Sequence, residues 1–372
     1  MTARGPIVLA AGGTGGHVFP AQALAESLSA RGWRIALVTD TRGSAFGDQV
    51  AGLEAYRIKV ARIGGGAWSK LKGLTQLGLG FFQARGILRR LKPSAAVGFG
   101  GYPSVPTMWA ATGTRIPTLV HEQNAVLGQA NRLLASRVDR IATSFDPEIV
   151  VRQKERGKSL LTGNPVRSAI RDIANSPYPG RQTENEPLSL LIFGGSQGAR
   201  ILSDVVPAAI ATLPAAKRAK LQIIQQCRAE DLDRVQQVYS NASIKADLAP
   251  FFDDMPRRLA AAHLVIARAG ASTIAEVTAA GRPIILVPFK HAMDDHQTVN
   301  ARAIDITGGG WMMPEDIFTT ISLAAKLQTL LADLEILPAA AACARDLGWP
   351  DAAERLADAT EALANATQGT TP

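Results

Sequence analysis

Short apolar runs alternate with segments of helical periodicity over the first half of the chain. The runs at 7–11, 33–39, 95–99, 118–121 and 140–144 have the length and apolar content of buried strands. Between the runs, apolar residues recur every three or four positions; after the first run they are Val18, Ala21, Leu24, Ala25 and Leu28. This alternation predicts βαβ units and a parallel sheet.

The alternation begins again after residues 165–187, a proline-rich and polar stretch without periodicity. Further strand candidates are 188–193, 221–226, 264–267 and 283–288, and the alanine-rich stretch at 339–366 predicts helix with a break at Pro350. We therefore predict an α/β chain with two Rossmann-like domains, at 1–165 and 166–340, and a C-terminal helix within 341–372.

Each half opens with a glycine-rich turn between its first strand and the following helix. The turns are Gly12, Gly13, Thr14, Gly15 and Gly16, which precede His17, and Gly194, Gly195, Ser196, Gln197 and Gly198. Glycine lets backbone N–H groups approach a ligand, and a helix N-terminus attracts anions, so both turns are typical of phosphate sites.

Two other interpretations of the first turn stay open at this point. The glycines could serve only the close packing of helix on sheet. The turn could also bind NAD, with Asp40 as the ribose carboxylate, although Val18 stands where the dinucleotide fingerprint needs a small residue.

The sequence RAGASTIAE at 268–276 predicts another strand, turn and helix N-terminus. Ser272 and Thr273 could bind a phosphate there, and Glu276, one turn further, could accept hydrogen bonds from ribose hydroxyls. The alternative is a capping box, in which Thr273 caps the helix and Glu276 reaches back to it.

The composition suits two globular domains, since 372 residues are 47% hydrophobic and 19% charged. Cys227 and Cys343 have no metal-like or disulfide-framework spacing, and we expect neither a signal peptide nor a membrane span, hence a cytoplasmic chain. The net charge of +8 is uneven: residues 1–165 carry +12 and residues 166–372 carry −4.

The positive charge is densest between Arg62 and Lys92, where no acid occurs. From Trp68 to Lys92 the basic residues mix with leucine and phenylalanine. This composition favours contact with an anionic membrane surface, although a core face backed by a solvated basic face has the same pattern. No nucleic acid recognition motif accompanies the charge, so we expect no nucleic acid partner.

Seven motifs, in order, resemble those of one bacterial family, the MurG transferases. They are GGTGGH at 12–17, GFGGYPS at 98–104, HEQN at 121–124, GNPVR at 163–167, FGGSQGA at 193–199, RAGASTIAE at 268–276 and DDHQTVNA at 294–301. The resemblance spans nearly the whole chain. It implies the GT-B architecture, with two Rossmann-like domains facing across a cleft and the C-terminal helix packing back on the N-terminal domain.

The resemblance also implies an activity: inverting transfer of N-acetylglucosamine from UDP-GlcNAc to the 4-hydroxyl of the muramoyl sugar of lipid I. The product would be lipid II of peptidoglycan synthesis, made at the cytoplasmic face of the inner membrane without metal or cofactor. The expected partners are UDP-GlcNAc, lipid I, the anionic membrane, and cell-wall and division proteins.

Residue roles follow from the same resemblance. The donor-binding set is Thr14, Gly15, Gly16, Asn124, Arg167, Ser196, Phe252, Ser272, Thr273, Glu276 and Gln297, and the acceptor side is Gly13, Gly101 and Tyr102. Phe252 departs from the aliphatic residue expected, but a backbone contact to uracil survives that change.

His17 and Glu122 are the candidate catalytic bases. Histidine titrates near neutral pH, which suits general base catalysis. The alternatives are that His17 only positions a phosphate and that Glu122 is a buried structural carboxylate.

Three rival functions remain. One is a UDP-GlcNAc 2-epimerase of the same fold, against which the basic apolar segment and the GFGGYPS loop count. Another is a transferase with a different lipid acceptor, which the donor motifs do not distinguish. The last is an inactive nucleotide-sugar-binding scaffold, against which the joint presence of His17, Glu122, Glu276 and Gln297 argues.

Overall fold

The computed structural model describes residues 5–12, 15–40, 53–60, 67–180, 183, 186–195, 198–333 and 335–366, with side chains from residue 75 onward in the helix that starts at Ala67. The chain forms two compact units. Unit 1 consists of Met1–Arg167 and Asp351–Pro372, and unit 2 of Ser168–Pro350.

Unit 1 contains a parallel sheet of seven strands among the described residues, in the order β3-β2-β1-β4-β5-β6-β7. The strands are β1 (Ile7–Ala10), β2 (Ile35–Thr39), β3 (Glu54–Arg57), β4 (Ala95–Gly98), β5 (Thr118–Glu122), β6 (Arg140–Thr143) and β7 (Ser159–Leu161).

Unit 2 repeats this plan with six strands in its described part, in the order β10-β9-β8-β11-β12-β13. The strands are β8 (Leu188–Phe193), β9 (Leu221–Gln226), β10 (Ala246–Ala249), β11 (Leu264–Ala267), β12 (Ile284–Leu286) and β13 (Gly310–Met312). The predicted class, an α/β chain with two parallel sheets, is confirmed.

Helices connect the strands in both units. They are α1 (Gly15–Ala30), α2 (Ala67–Leu91), α3 (Ser104–Thr112), α4 (Gln129–Leu134), α5 (Pro147–Val150), α6 (Ser168–Ile173), α7 (Arg200–Ala211), α8 (Ala215–Arg218), α9 (Leu232–Asn241), α10 (Met255–Ala261), α11 (Ala271–Ala279), α12 (His296–Ile306), α13 (Thr320–Ala332), α14 (Ile336–Asp346) and α15 (Ala352–Ala366). Short 3-10 helices lie at Gln153–Lys158, Ala229–Asp231 and Met293–Asp295.

Alternate residues of the central strands build two cores in unit 1. Ile7 and Leu9 of β1 face one core with α1, and Val8 and Ala10 face the other with α2 and α3. Both faces of the sheet are therefore covered, which explains why β1 is continuously apolar.

The sequence analysis missed four described strands, β3, β7, β10 and β13, and each of them is an edge of its sheet. Edge strands are half exposed and short, so they lack the apolar run that marks a buried strand. The residues that position the functional side chains lie on the central strands, which were predicted.

The predicted helical stretch at 339–366 divides at Gly348, Trp349 and Pro350 into α14, which belongs to unit 2, and α15, which belongs to unit 1. On α15, Leu356, Ala357 and Ala364 are buried in the same core as α1. At the end of this contact, Glu361 accepts a hydrogen bond of 2.7 Å from Trp33 Nε1 and pairs with Arg31 at 2.6 Å.

In unit 2, the fully buried guanidinium of Arg282 anchors the chain just after the boundary. It donates to five carbonyl oxygens at 2.7 to 3.2 Å, those of Leu259, Ala280, Gly281, Ala260 and Pro177. Burial lowers the pKa of Arg282 to about 10, so the carbonyls hold a cation at neutral pH.

The burial of α15 predicts its contribution to unit 1. Leu356→Ala removes a fully buried side chain and should lower the free energy of unfolding of unit 1 by about 2–5 kcal/mol. Asp358→Ala, two residues further on the exposed side of the helix, removes only a surface ion pair with Arg31 and should cost less than about 1 kcal/mol. Hydrogen exchange of the β1 and β2 amides, read against β8 of unit 2, separates the two effects; equal protection in both variants contradicts the prediction.

Candidate active site

The strand order of unit 1 places two loops at one crevice. β1 lies between β2 and β4, so the connections that leave β1 and β4 turn away from each other at the carboxyl edge of the sheet. A position where successive connections leave the sheet in opposite directions is called a switch point, and ligands of open parallel sheets bind there. The described residues at this edge come from the start of α1, the loop after β4 and the end of β5.

His17 lies in the first turn of α1, above the backbone of the loop after β4. A Cβ built on Gly100 would lie 3.5 Å from His17 Cε1, and one built on Gly101 would lie 3.4 Å from His17 Cδ2 and 3.2 Å from Gly12 O. Both loop glycines have positive φ, +79° and +72°, a conformation that favours glycine. The predicted acceptor-side residue Gly101 therefore contacts the imidazole of His17, and its lack of a side chain leaves room for the ring.

A chain of hydrogen bonds connects His17 with the end of β5. His17 Nδ1 lies 3.2 Å from Gln123 Oε1, and Gln123 Nε2 lies 3.1 Å from both Phe99 O and His121 Nδ1. His121 Nε2 is 3.0 Å from Gly163 O in the GNPVR segment. The sequence analysis named neither Gln123 nor His121 as a site residue, although both stand in the HEQN motif.

Glu122 points to a different set of groups. Its carboxylate is 2% exposed and accepts four hydrogen bonds at 2.9 to 3.2 Å, from the backbone N–H groups of Asn124 and Gly128 and from the side chains of Asn124 and Asn131. These contacts favour the structural interpretation of Glu122. They also fix the predicted donor residue Asn124.

Arg167 and Phe19 extend this part of unit 1. The Arg167 guanidinium carbon lies 5.2 Å from the centre of the Phe19 ring, and that ring lies 3.0 Å from a Cβ built on Gly15. The structure thus brings Arg167 close to the start of α1 and half buries Tyr102 in the loop after β4. Gly13 and Thr14 lie outside the described residues.

Unit 2 has the same switch point, with β8 between β9 and β11. After β8, Gly194 N donates to Gln226 Oε1 at 3.1 Å, and Gln226 Nε2 donates to Gly195 O and Pro250 O at 3.1 Å. Gln226 therefore holds the second glycine turn next to the end of β10. Ser196, in this turn, lies outside the described residues.

Phe252 follows β10, and its ring explains the departure from an aliphatic residue. The ring is buried, and the guanidinium of Arg258 lies over it at 4.0 Å from the centroid. Arg258 in turn pairs with Asp254 and Asp247. The side chain of Phe252 is thus engaged inside unit 2.

The capping-box interpretation of residues 273–276 is wrong. Helix α11 starts at Ala271 with Gly270 as its N-cap, so Thr273 lies inside the first turn, and the N-cap forms no side-chain hydrogen bond. Ser272 Oγ, in the same turn, is buried and has no hydrogen-bond partner within the described residues. A buried hydroxyl without a partner at a helix N-terminus is typical of a place that an anion occupies.

The DDHQTVNA segment packs against this turn. Asn300 Nδ2 donates to Ala269 O at 3.2 Å, and Gln297 Oε1 accepts from Phe289 N at 2.9 Å. Just before α12, Asp294 and Asp295 both have positive φ, +53° and +49°. Strained backbone of this kind concentrates at functional sites.

Among the described residues, no group of three or more His, Cys, Asp or Glu side chains could hold a metal ion. The acidic pair Asp231 and Asp233 does not converge, because Asp231 is buried and bonded to Arg234 while Asp233 is exposed.

Comparisons with known proteins agree with this organisation. The family model "Glycosyltransferase family 28 N-terminal domain" matches residues 7–143, and "Glycosyltransferase family 28 C-terminal domain" matches residues 189–356. A relative from Paramagnetospirillum magneticum, the UDP-N-acetylglucosamine--N-acetylmuramyl-(pentapeptide) pyrophosphoryl-undecaprenol N-acetylglucosamine transferase, is 56% identical over 96% of this chain and 97% of its own length.

Solved structures give the same result. The crystal structure of Acinetobacter baumannii MurG has a TM-score of 0.79 and 29% identity, over 96% of this chain and 99% of its own. A UDP-GlcNAc 2-epimerase from Neisseria meningitidis, bound to UDP-GlcNAc, has a TM-score of 0.65 and 13% identity over 95% of this chain and 98% of its own, which shows a shared fold alone. The predicted GT-B fold class is confirmed.

The contacts of Glu122 predict how it responds to substitution. Glu122→Gln replaces one accepting oxygen with an NH₂ group that faces N–H donors, so unfolding free energy should fall by about 1–3 kcal/mol. Glu148→Gln, at an exposed site of unit 1, is the matched control and should leave stability unchanged. Urea denaturation measures both; unchanged stability of Glu122→Gln would show that its four contacts are dispensable.

Proposed function

Because this chain belongs to glycosyltransferase family 28, and within it to the MurG transferases, we propose that it transfers N-acetylglucosamine from UDP-GlcNAc to lipid I and forms lipid II. The geometric observation that carries the proposal is the recurrence of one arrangement in both units. In each unit, a glycine-rich segment follows the strand at the switch point of the sheet. In unit 1, His17 comes directly after that segment, at the start of α1. In unit 2, Ser272 and Glu276 lie on α11, which follows the neighbouring strand β11.

We assign the base to His17. Its Nε2 accepts the proton of the muramoyl 4-hydroxyl while the oxygen forms a bond to the anomeric carbon of the donor sugar. The bond from that carbon to the β-phosphate oxygen breaks with its electron pair, UDP departs, and the configuration inverts. Base catalysis of this kind typically contributes about 10²- to 10⁴-fold.

The departing diphosphate needs positive partners, and α11 offers them. Its first-turn N–H groups and the unpartnered hydroxyl of Ser272 point to an anion site, to which Thr273 adds a second hydroxyl. Backbone donors that are already in place stabilise developing charge without reorganisation. We expect Ser196 to add to this site. Thr14, Gly15 and Gly16 of the first glycine turn are expected to bind the diphosphate of the donor, of the acceptor, or both.

The remaining donor contacts keep the roles that the resemblance implies. We expect Glu276 to bind the ribose, the backbone of Phe252 to bind uracil, and Gln297, Asn124 and Arg167 each to contact the donor's sugar or phosphates. Two observations support these roles: the Phe252 ring is engaged by Arg258, and Glu122 holds Asn124 through two hydrogen bonds. We therefore propose that Glu122 positions Asn124 and is not the base.

We also propose that unit 1 docks on the cytoplasmic face of the inner membrane through α2, which would bring the polyprenyl tail of lipid I within reach. On this helix, Leu79 and Phe82 are three residues apart, on one face, and are 54% and 71% exposed. Arg89 and Arg90 follow in the last turn, where an anionic surface attracts them. Gly13 and Tyr102 keep their predicted acceptor-side role, and partnership with cell-wall and division proteins stays a prediction.

A search of the described helices for membrane spans found no single helix of sufficient length and apolar content. Two consecutive helices joined by a sharp bend, Thr320–Ala332 and Ile336–Asp346, reach the length and apolar composition of a membrane span only when they are taken together. Leu323, Leu327, Leu330 and Leu337 of that pair are buried in the core of unit 2.

The transfer reaction is tested by measuring UDP release from UDP-GlcNAc with and without a short-chain lipid I analogue, in EDTA. We expect release that depends on the acceptor, persists in EDTA and falls by about 10²-fold or more in His17→Ala. Gln22→Ala, further along the same helix, is the control and should retain full activity. Acceptor-independent formation of ManNAc would instead identify a 2-epimerase, and transfer only to another lipid would identify a different acceptor.

Membrane docking is tested by sedimentation with vesicles of anionic or of neutral lipid. The double variant Leu79→Ser and Phe82→Ser removes two exposed apolar side chains, so binding to anionic vesicles should weaken by about tenfold or more. Ile149→Ser, at a 67% exposed site of the same unit, is the matched control. Equal binding by all three proteins, or by neutral and anionic vesicles, contradicts the docking surface.

A further inference from the structure

The amide of Gln123 has only one orientation that its surroundings allow. One end of the amide lies 3.1 Å from Phe99 O and 3.2 Å from His121 O. Carbonyl oxygens only accept hydrogen bonds, so this end must be the NH₂ group. The other end, which faces His17 Nδ1 at 3.2 Å, must therefore be the accepting oxygen Oε1.

This orientation decides which nitrogen of His17 carries the proton. Oε1 only accepts, so Nδ1 must donate, and in the neutral imidazole Nε2 then holds the lone pair. We propose that Gln123 is a positioning residue that holds His17 in the Nδ1–H tautomer and so keeps Nε2 ready to accept a proton. This inference rests on the proposed base role of His17 and deepens it.

His121 prevents the reverse orientation. Its Nε2 lies 3.0 Å from Gly163 O and must donate to it, so its Nδ1 accepts from Gln123 Nε2 at 3.1 Å. Complete burial lowers the pKa of His121 to about 4, and the ring is therefore neutral at physiological pH. Gly163 is fixed as well, because its N–H donates to Thr143 O at 3.2 Å and its φ is +78°.

The direction of the hydrogen bonds is thus set by the carbonyl oxygens of Phe99, His121 and Gly163. Gln123 passes this direction on to His17. Titratable or charged side chains on the described elements around His17 include His121 and Glu122 of β5, Tyr102 of the loop after β4, Arg167, and Glu26 of α1, which accepts from Gln22. The Glu122 carboxylate accepts its four hydrogen bonds from Asn124, Gly128 and Asn131, and Arg167 lies over Phe19. The partner of His17 is consequently a neutral amide, which orients the ring without adding a negative charge beside it.

The arrangement also suits the moment after proton transfer. When Nε2 takes the proton, Nδ1 keeps its own and continues to donate to Gln123 Oε1, so no side chain has to turn. Catalytic groups held by their neighbours in this way need no reorganisation during the reaction.

The tautomer is tested on the unmodified protein without substrate. Long-range ¹H–¹⁵N correlation spectra of histidine-labelled protein, with the His17 signals assigned by their loss in His17→Gln, distinguish the two ring nitrogens. We expect a protonated Nδ1 and an unprotonated Nε2 above neutral pH. A protonated Nε2 in the unmodified protein overturns the proposal, whatever any variant does.

Gln123→Met tests the cause, because it keeps the size of the side chain and removes the acceptor. His17 should then show the Nε2–H form in part, and kcat should fall by about tenfold or more with little change in KM. Gln22→Met in α1 is the matched control, since the hydrogen bond of its side chain within the described residues goes to Glu26, and should change neither readout. An unchanged His17 tautomer in folded Gln123→Met overturns the proposal.

The two readouts separate this proposal from the proposed function. Suppose that His17 carries its proton on Nδ1, that Gln123→Met changes this, and that the protein shows no acceptor-dependent UDP release. The positioning role is then upheld and the transferase is rejected. Acceptor-dependent release by a protein whose His17 carries its proton on Nε2 upholds the transferase and rejects the positioning role.

Discussion

Parallel pairing around one central strand is the constraint on which the rest of each unit depends. β1 has β2 on one side and β4 on the other, and β8 is flanked in the same way by β9 and β11. Parallel neighbours require crossover helices that cover both faces, which makes the central strands apolar and leaves only their carboxyl ends for chemistry. The glycine turns, His17, the HEQN segment and the start of α11 all lie at those ends.

At the end of β5, the requirement that buried polar groups be satisfied decides the direction of each side chain. Glu122 and Gln123 are neighbours in sequence, and they serve different groups. The carboxylate accepts from N–H donors of α4 and of the loop before it, whereas the amide connects carbonyl oxygens with His17. Neither side chain could exchange roles with the other, because a carboxylate has no donor for Phe99 O and an amide cannot accept from four donors.

The predictable part of this molecule is the part governed by local pattern. The central strands follow from apolar runs, and the missed strands are edges whose exposed positions interrupt such a run. The partner of His17 was not predictable, since Gln123 is 106 residues away and its role depends on which groups the fold places around its amide. The capping box failed for a similar reason: α11 begins at Ala271 with Gly270 as its N-cap, and the pattern S/T-x-x-E does not say which residue starts the helix.

The return of α15 to unit 1 has a consequence for how the protein is made. Leu356, Ala357 and Ala364 complete the core that Ile7, Leu9 and α1 begin, yet all of unit 2 lies between them in the chain. A ribosome therefore delivers every residue of unit 2 before it delivers the helix that closes the first sheet. During synthesis, unit 2 has its whole sequence available while the sheet face that α1 covers still lacks its second helix, so the domain that is synthesised first is the last to be finished.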